Sequence, residues 1–332
     1  MSQRSVPNPD GYERGHYVRT SAHGVAEVRP VLDPLGPMTR SAPSHDRPTS
    51  GRPTSGRPTA GRPIRDRPTA DRSPLKAVAL PSEHGGWGLT LEPVLLGLLV
   101  AWSVSGALLG LAAFLAFLAR TPLKLVLVDL FRGRFLPRTR LAAIVSGVEV
   151  IALAGAAVGA WALSSHPFWL PIVIAIPLVA VELWFDMRSR SRRLLPELAG
   201  SIGIAAVAAS IILVGGRDGR LAAAVWLVLA ARSIATIPFV RIQIRRLRRG
   251  SDSRSNQGLF QGSSAFAVLA CLAALVSEFA VILGTLTIVA VIGRQYGWLG
   301  TEVPPAKKIG MQQLVVGLAV TAATALSVRL WT

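Results

Sequence analysis

From Leu89 to the end of the chain, apolar segments alternate with clusters of arginine, and this alternation leaves few folds open. About 20 apolar residues in helix match the hydrocarbon thickness of a bilayer. Only helices and closed barrels satisfy their own backbone there. Segments near 88–104, 107–130, 141–163, 168–186, 197–214, 221–240, 262–277, 279–293 and 309–328 read as such spans. The stretch 262–293 is too long for one straight span and short for two, so Ser277-Glu278 near its middle predicts a tight hairpin. The expected fold is all-α, a polytopic membrane bundle of about nine transmembrane helices.

The connections carry the orientation. Arg132, Arg134, Arg138 and Arg140 fill one, Arg188 to Arg193 a second, and Arg241 to Arg254 a third, with Arg294, Lys307 and Lys308 in a fourth. The intervening connections, Ser103–Gly106, Ser164–Pro167, Gly215–Arg220 and Ser277–Glu278, are short, and only the third holds arginine. Cationic loops collect on the cytoplasmic face of a membrane protein. With nine spans, the pattern predicts a multi-pass membrane protein, N-terminus inside and C-terminus outside. Composition agrees: of 332 residues 51% are hydrophobic and only 16% charged, and the net charge is +18. Soluble domains carry about 25% charged residues. Trp102, Trp161, Trp169 and Trp331 fall at inferred outer ends and Trp87 and Trp298 at inner ones, as an interfacial belt requires. The arginine clusters have few interleaved aromatics, so membrane lipids and not nucleic acid are the expected partners. The single cysteine, Cys271, sits in an apolar run and supports neither a disulfide framework nor a thiolate metal site.

Residues 1–80 form a different region, rich in Pro, Arg, Ser, Thr and Gly. A five-residue repeat runs from Asp46-Arg47-Pro48-Thr49-Ser50 to Asp66-Arg67-Pro68-Thr69-Ala70. Proline at every fifth position blocks helix, and nothing apolar recurs to build a core. A disordered, cationic cytoplasmic leader is expected there, ahead of a transmembrane bundle over 81–332.

Ionisable groups at membrane depth are costly, which makes them functional candidates. Glu92, Lys124, Asp129, Glu149, Glu182, Asp186 and Arg232 are such groups. Arg120 and Lys124, four residues apart, share a helix face suited to an anionic headgroup or phosphate, or to anchoring the helix at the interface, with Pro122 between them and Asp129 close by. Glu182 and Asp186 share a face too, and fit a solvated helix end with local ion pairing. Arg232 lies about two and a half turns inside a span whose inner end is Arg241, too deep for easy snorkelling. It calls for a ligand anion, a water-filled cavity or a carboxylate, Glu92 or Glu149. Glu83 and His84 stand at the start of the first span in Pro81-Ser82-Glu83-His84-Gly85-Gly86-Trp87. A histidine beside a carboxylate can exchange a proton near neutral pH, and Gly85-Gly86 allows the non-helical backbone that would let the two meet. The alternative is an N-cap at Ser82 with Glu83 favourable in the first turn.

That opening resembles the P-x-E-H-G-x-W start of the YwiC-like family of bacterial integral membrane proteins. The resemblance continues in Arg120-Thr121-Pro122-Leu123-Lys124 with Asp129, in Glu197-Leu198, in Arg232-Ser233-Ile234-Ala235-Thr236-Ile237-Pro238-Phe239-Val240-Arg241, and in Lys308-Ile309-Gly310. It covers roughly residues 78–330 and implies placement in a membrane, not an activity. A weaker likeness is to prenyltransferases of the UbiA type, nine-helix bundles in which two aspartate-rich motifs hold Mg²⁺ on an isoprenoid pyrophosphate. The chain departs at those motifs: Asp129 stands alone before Arg132, and Arg232 and Arg241 occupy the region of the second. The likeness therefore implies a bundle around an anionic or isoprenoid lipid without Mg²⁺-dependent transfer.

The reading that follows is a protein that binds an anionic or isoprenoid amphipathic ligand in a polar cavity facing the cytoplasm. Arg120, Lys124, Asp129, Arg232 and Arg241 would form the binding set, and Glu83 and His84 the proton-transfer pair. Two alternatives use the same charges: a lipid translocator, and an accessory factor of a membrane complex. No motif names a cofactor, and His16, His23 and His45 are too scattered for a metal site.

Overall fold

A computed structural model describes residues 84–188, 193–249 and 254–332. The leader, its repeat and Glu83 lie outside the described residues. Among the described residues nine α-helices follow one another: α1 His84–Val100, α2 Val104–Phe131, α3 Pro137–Ala162, α4 Trp169–Met187, α5 Leu194–Val214, α6 Gly219–Arg249, α7 Arg254–Ser277, α8 Ile282–Leu299 and α9 Ala306–Trp331. Eight of them are long and apolar enough to cross a membrane. The exception is α1, whose 17 residues rise only about 25 Å. The chain is thus a multi-pass helical bundle, with α1 as long as the 88–104 span the sequence predicts but starting four residues earlier.

The helix ends have local causes. Ser103 caps α2, its Oγ accepting from Gly106 N at 2.9 Å. Helices α2 and α5 stop where Gly133 and Gly216 turn left-handed, φ 63° and 78°. Each stop is closed by a bond from the residue after the glycine: Arg134 N to Asp129 O, and Arg217 N to Ile212 O. Pro137 opens α3, its missing N–H harmless at that position. The break inside 262–293 falls at Glu278, as the sequence predicts. Its carboxylate accepts from Ala280 N at the head of a short 3-10 turn, Phe279–Val281, before α8 starts.

Helices α5 and α6 form the centre. In each, 67% of the apolar window is buried. The buried face of α5 is made of Ala199, Gly200, Ser201, Gly203, Ala205, Ala206, Ala208 and Ala209, so its backbone approaches its neighbours closely. Helix α1 packs on α5 and α9, α2 on α5, and α4 on α5 and α2. Helices α6 to α9 make the other side, with the α7·α6 and α8·α9 pairs the tightest there. Helix α3 packs chiefly on α2, and only 11% of its apolar window is buried. Its outward side chains, Ile144, Val148, Ile151 and Val158, are exposed as lipid-facing residues should be. Short connections make neighbouring helices antiparallel. One end of the bundle therefore carries Arg132–Arg140, Arg188, Arg193, Arg241–Arg249 and Lys307–Lys308; we call it the basic end.

Candidate functional site

The deepest charge is Arg232 on α6. It is 5% exposed, and its Nη2 donates to Glu92 Oε1 on α1 at 2.9 Å and to the Gln313 carbonyl on α9 at 3.2 Å. Glu92 is 2% exposed. Two glycines make the room. A Cβ at Gly317 of α9 would strike the Glu92 carboxylate and Arg232 Nη2, and one at Gly88 would sit 3.3 Å from Glu92 Oε1. The pair thus joins three helices, and of the two carboxylates the sequence offers it is Glu92 that meets Arg232. The guanidinium is not fully satisfied: Nε is buried without a hydrogen-bond partner. Burying an ion pair repays its desolvation only when the remaining protons find partners. An unmet donor on a buried arginine is where an anion or a water would bind.

The other cations at this end also meet carboxylates. Arg120 Nη2 on α2 bridges Glu182 Oε1 at 2.6 Å and Asp186 Oδ2 at 3.2 Å on α4, and Lys124 Nζ reaches Asp186 Oδ1 at 3.1 Å. Gly200 of α5 leaves the space for the Glu182 carboxylate, which a Cβ there would strike. Asp129 is held apart from this pair. Its Oδ2 accepts from Thr139 Oγ1 at 2.6 Å and its Oδ1 from Arg138 Nη2 at 3.5 Å, which pins α3 to α2. Arg241 Nη1 meets Glu197 Oε2 of α5 at 2.7 Å. The five residues expected to bind a ligand therefore lie in three separate ion-paired groups and one hydrogen-bonded hairpin, all in the half of the bundle toward the basic end. Glu83 lies outside the described residues. The backbone is helical from His84 through Gly86, so the two glycines are not used there for the non-helical entry they would allow.

Two residues escape sequence reasoning. Gln295 of α8 is 1% exposed with both amide atoms unpartnered, and Gln313 Oε1 is likewise buried and unmet. Their signal in the sequence is a stripe at helical spacing: Gln313, Gly317 and Thr321 on α9, polar or small in an otherwise apolar span. The described residues contain no group of three His, Cys, Asp or Glu placed to hold a metal ion.

Openings at both ends of the described bundle reach the surface. At the basic end a cavity of about 180 Å³ lies among α6, α8 and α9, lined by Phe239, Gln243, Trp298, Lys308 and Gln312. At the opposite end a shallower one of about 450 Å³ is lined by Ser103, Ser105, Ser165, His166 and Gly215.

Residues 80–212 match the model of the YwiC-like protein family. The matched region runs from α1 to the end of α5 and includes Glu92, the Arg120–Lys124 cluster with its partners Glu182 and Asp186, Asp129 and Glu197. Helices α6 to α9, with Arg232, Arg241 and both glutamines, lie beyond it. No curated protein shows significant similarity to the chain, and no solved structure does. The YwiC-like region thus supplies the carboxylate of the deepest pair, and the remainder supplies its cation.

Proposed function

We propose that this YwiC-like membrane protein binds an anionic amphipathic ligand, such as an acidic or isoprenoid lipid, with Arg232 as the deep anchor for the anion. The observation that carries the reading is the buried guanidinium whose Nε has no partner although Nη2 has two. A purely structural pair at this depth gains by satisfying every proton, since each unmet buried donor costs about 1–3 kcal/mol. The ligand would arrive from the basic end, where Lys308 and the surrounding arginines attract negative headgroups, and by the positive-inside rule that end faces the cytoplasm. Glu92 would hold the empty site neutral and share the guanidinium with the ligand when it is filled.

Native mass spectrometry of the detergent-purified protein tests this reading. We expect wild type to retain an anionic lipid. Arg232→Lys keeps the charge but has no second donor fork, so it should retain the lipid poorly. Equal retention by wild type, Arg232→Lys and Arg232→Ala overturns the assignment. A second reading, translocation of the same ligand, is favoured by the cavity at the opposite end. It requires exchange of a labelled lipid between leaflets of a reconstituted vesicle.

A further inference from the structure

Contacts between the helices fix the relative heights of the three around the basic-end cavity. Helices α8 and α9 run antiparallel, with Leu283 N on Ser327 Oγ at 3.2 Å and Gly284 packed against Thr324. Counting along both helices from these contacts puts Gln295 at the height of Gln313. Helices α6 and α8 run the same way, and the Phe239 and Trp298 rings stand 6.2 Å apart, which puts Gln295 at the height of Thr236, one turn from Arg232. The unmet Gln295 amide, the unmet Gln313 Oε1 and the unmet Arg232 Nε therefore lie within about one helical turn of one another. The cavity lies about one turn nearer the basic end, and Phe239 and Trp298 stand between.

The two layers are chemically distinct and complementary. The cavity offers two aromatic faces, the amides of Gln243 and Gln312, the Glu302 carboxylate and the Lys308 ammonium. Amides both donate and accept, and so match hydroxyl groups, which do the same. Aromatic faces cover the apolar C–H surface of a ring that carries such hydroxyls. Some 180 Å³ holds roughly a dozen waters, enough for one polyol ring. The buried layer adds an arginine donor for a charged oxygen and further amide atoms. Arg246 locks the rim, its Nη2 on the Thr301 carbonyl at 3.2 Å and its Nη1 on Gln243 Oε1 at 3.1 Å.

Resting on the binding reading above, we infer that the headgroup is a polyhydroxylated phosphate, a sugar- or polyol-bearing phospholipid whose hydroxyls sit in the α6–α8–α9 cavity. A headgroup with phosphate alone would leave the Gln312 amide of the cavity without a hydroxyl partner. A site that hydrogen-bonds hydroxyls discriminates strongly against ligands without them.

The test uses the full-length protein in phosphatidylcholine nanodiscs doped in turn with phosphatidylinositol, phosphatidylglycerol and phosphatidic acid. Retention is read by native mass spectrometry. We expect retention to fall in that order, which is the order of decreasing hydroxyl count. Gln312→Leu should lower the preference for phosphatidylinositol over phosphatidic acid roughly fivefold, the worth of one neutral hydrogen bond. Lys308→Gln should weaken all three. Gln295→Leu, a change of similar volume in the buried layer beside Arg232, should lower retention of all three lipids without changing their order. Equal retention of the three lipids, still lost in Arg232→Lys, overturns the headgroup inference and leaves the anion-binding reading standing. Retention indifferent to Arg232 overturns both.

Discussion

At the scale of single residues, glycine decides where charge can be buried. Gly317 and Gly200 each stand where a methyl group would strike a carboxylate, of Glu92 in one case and Glu182 in the other. Gly317→Ala therefore overpacks a closed ionic contact and should destabilise the protein by about 1–3 kcal/mol. At Gly147 of α3, where an added Cβ meets nothing within 4 Å, the same change should be neutral or gain up to about 1 kcal/mol of helix propensity. Thermal unfolding of both variants in one detergent makes the comparison, and equal loss would contradict the packing argument. Removing one partner of the deep pair, by Glu92→Ala or Arg232→Ala, strands a buried charge at a cost of about 3–5 kcal/mol. The apolar double variant Glu92→Leu/Arg232→Met should regain most of that stability while losing ligand, a separation that unfolding and native mass spectrometry would show together. In the sequence, Arg232 was legible as a deep charge calling for a ligand anion, a water-filled cavity or a carboxylate, because depth along an apolar span is a matter of counting. Which of Glu92 and Glu149 would meet it was not, since that depends on which helices become neighbours. The role of Gly317 was hidden for the same reason.

At the scale of elements, the spans were readable because hydropathy and length are local properties. The break at Ser277–Glu278 was readable because an acidic residue cannot continue an apolar span at low cost. What the sequence did not carry was the pairing of helices. Arg120 and Lys124 read as an open anion site from their own helix alone; Glu182 and Asp186 of α4 stand across from them. Asp129 likewise serves the α2–α3 hairpin through Thr139. That threonine is fully buried, donates to Asp129, and accepts from Leu136 N at 3.2 Å. Thr139→Val removes both bonds and leaves the Asp129 carboxylate short of a donor, so α3 should loosen by about 1–3 kcal/mol. Thr139→Ser should restore it. Protease sensitivity of the Arg132–Leu136 connection is the readout, and no difference among the three proteins would assign the hairpin to apolar packing alone.

At the scale of the whole molecule, the ion pairs lie in the half toward the basic end, and an apolar cluster of Leu109, Ala160, Phe168, Ile211 and Val214 lies in the opposite half. Orientation is the property most open to a direct test. In a Cys271→Ala background, Glu278→Cys and Ser165→Cys should react with a membrane-impermeant maleimide in intact cells. Arg134→Cys and Glu302→Cys should react only after permeabilisation. The reverse pattern would invert the bundle and place the α6–α8–α9 cavity outside. The deep pair also has a history in time. Glu92 and Arg232 are separated by 140 residues of chain. At synthesis rates of about 5–20 residues per second, the carboxylate leaves the ribosome roughly 7–28 seconds before its cation. Through that interval the short first helix has no partner for its acid and cannot settle in hydrocarbon without penalty. It takes its final place when the sixth helix arrives, and the last helix, bringing Gly317 and the Gln313 carbonyl, closes over both.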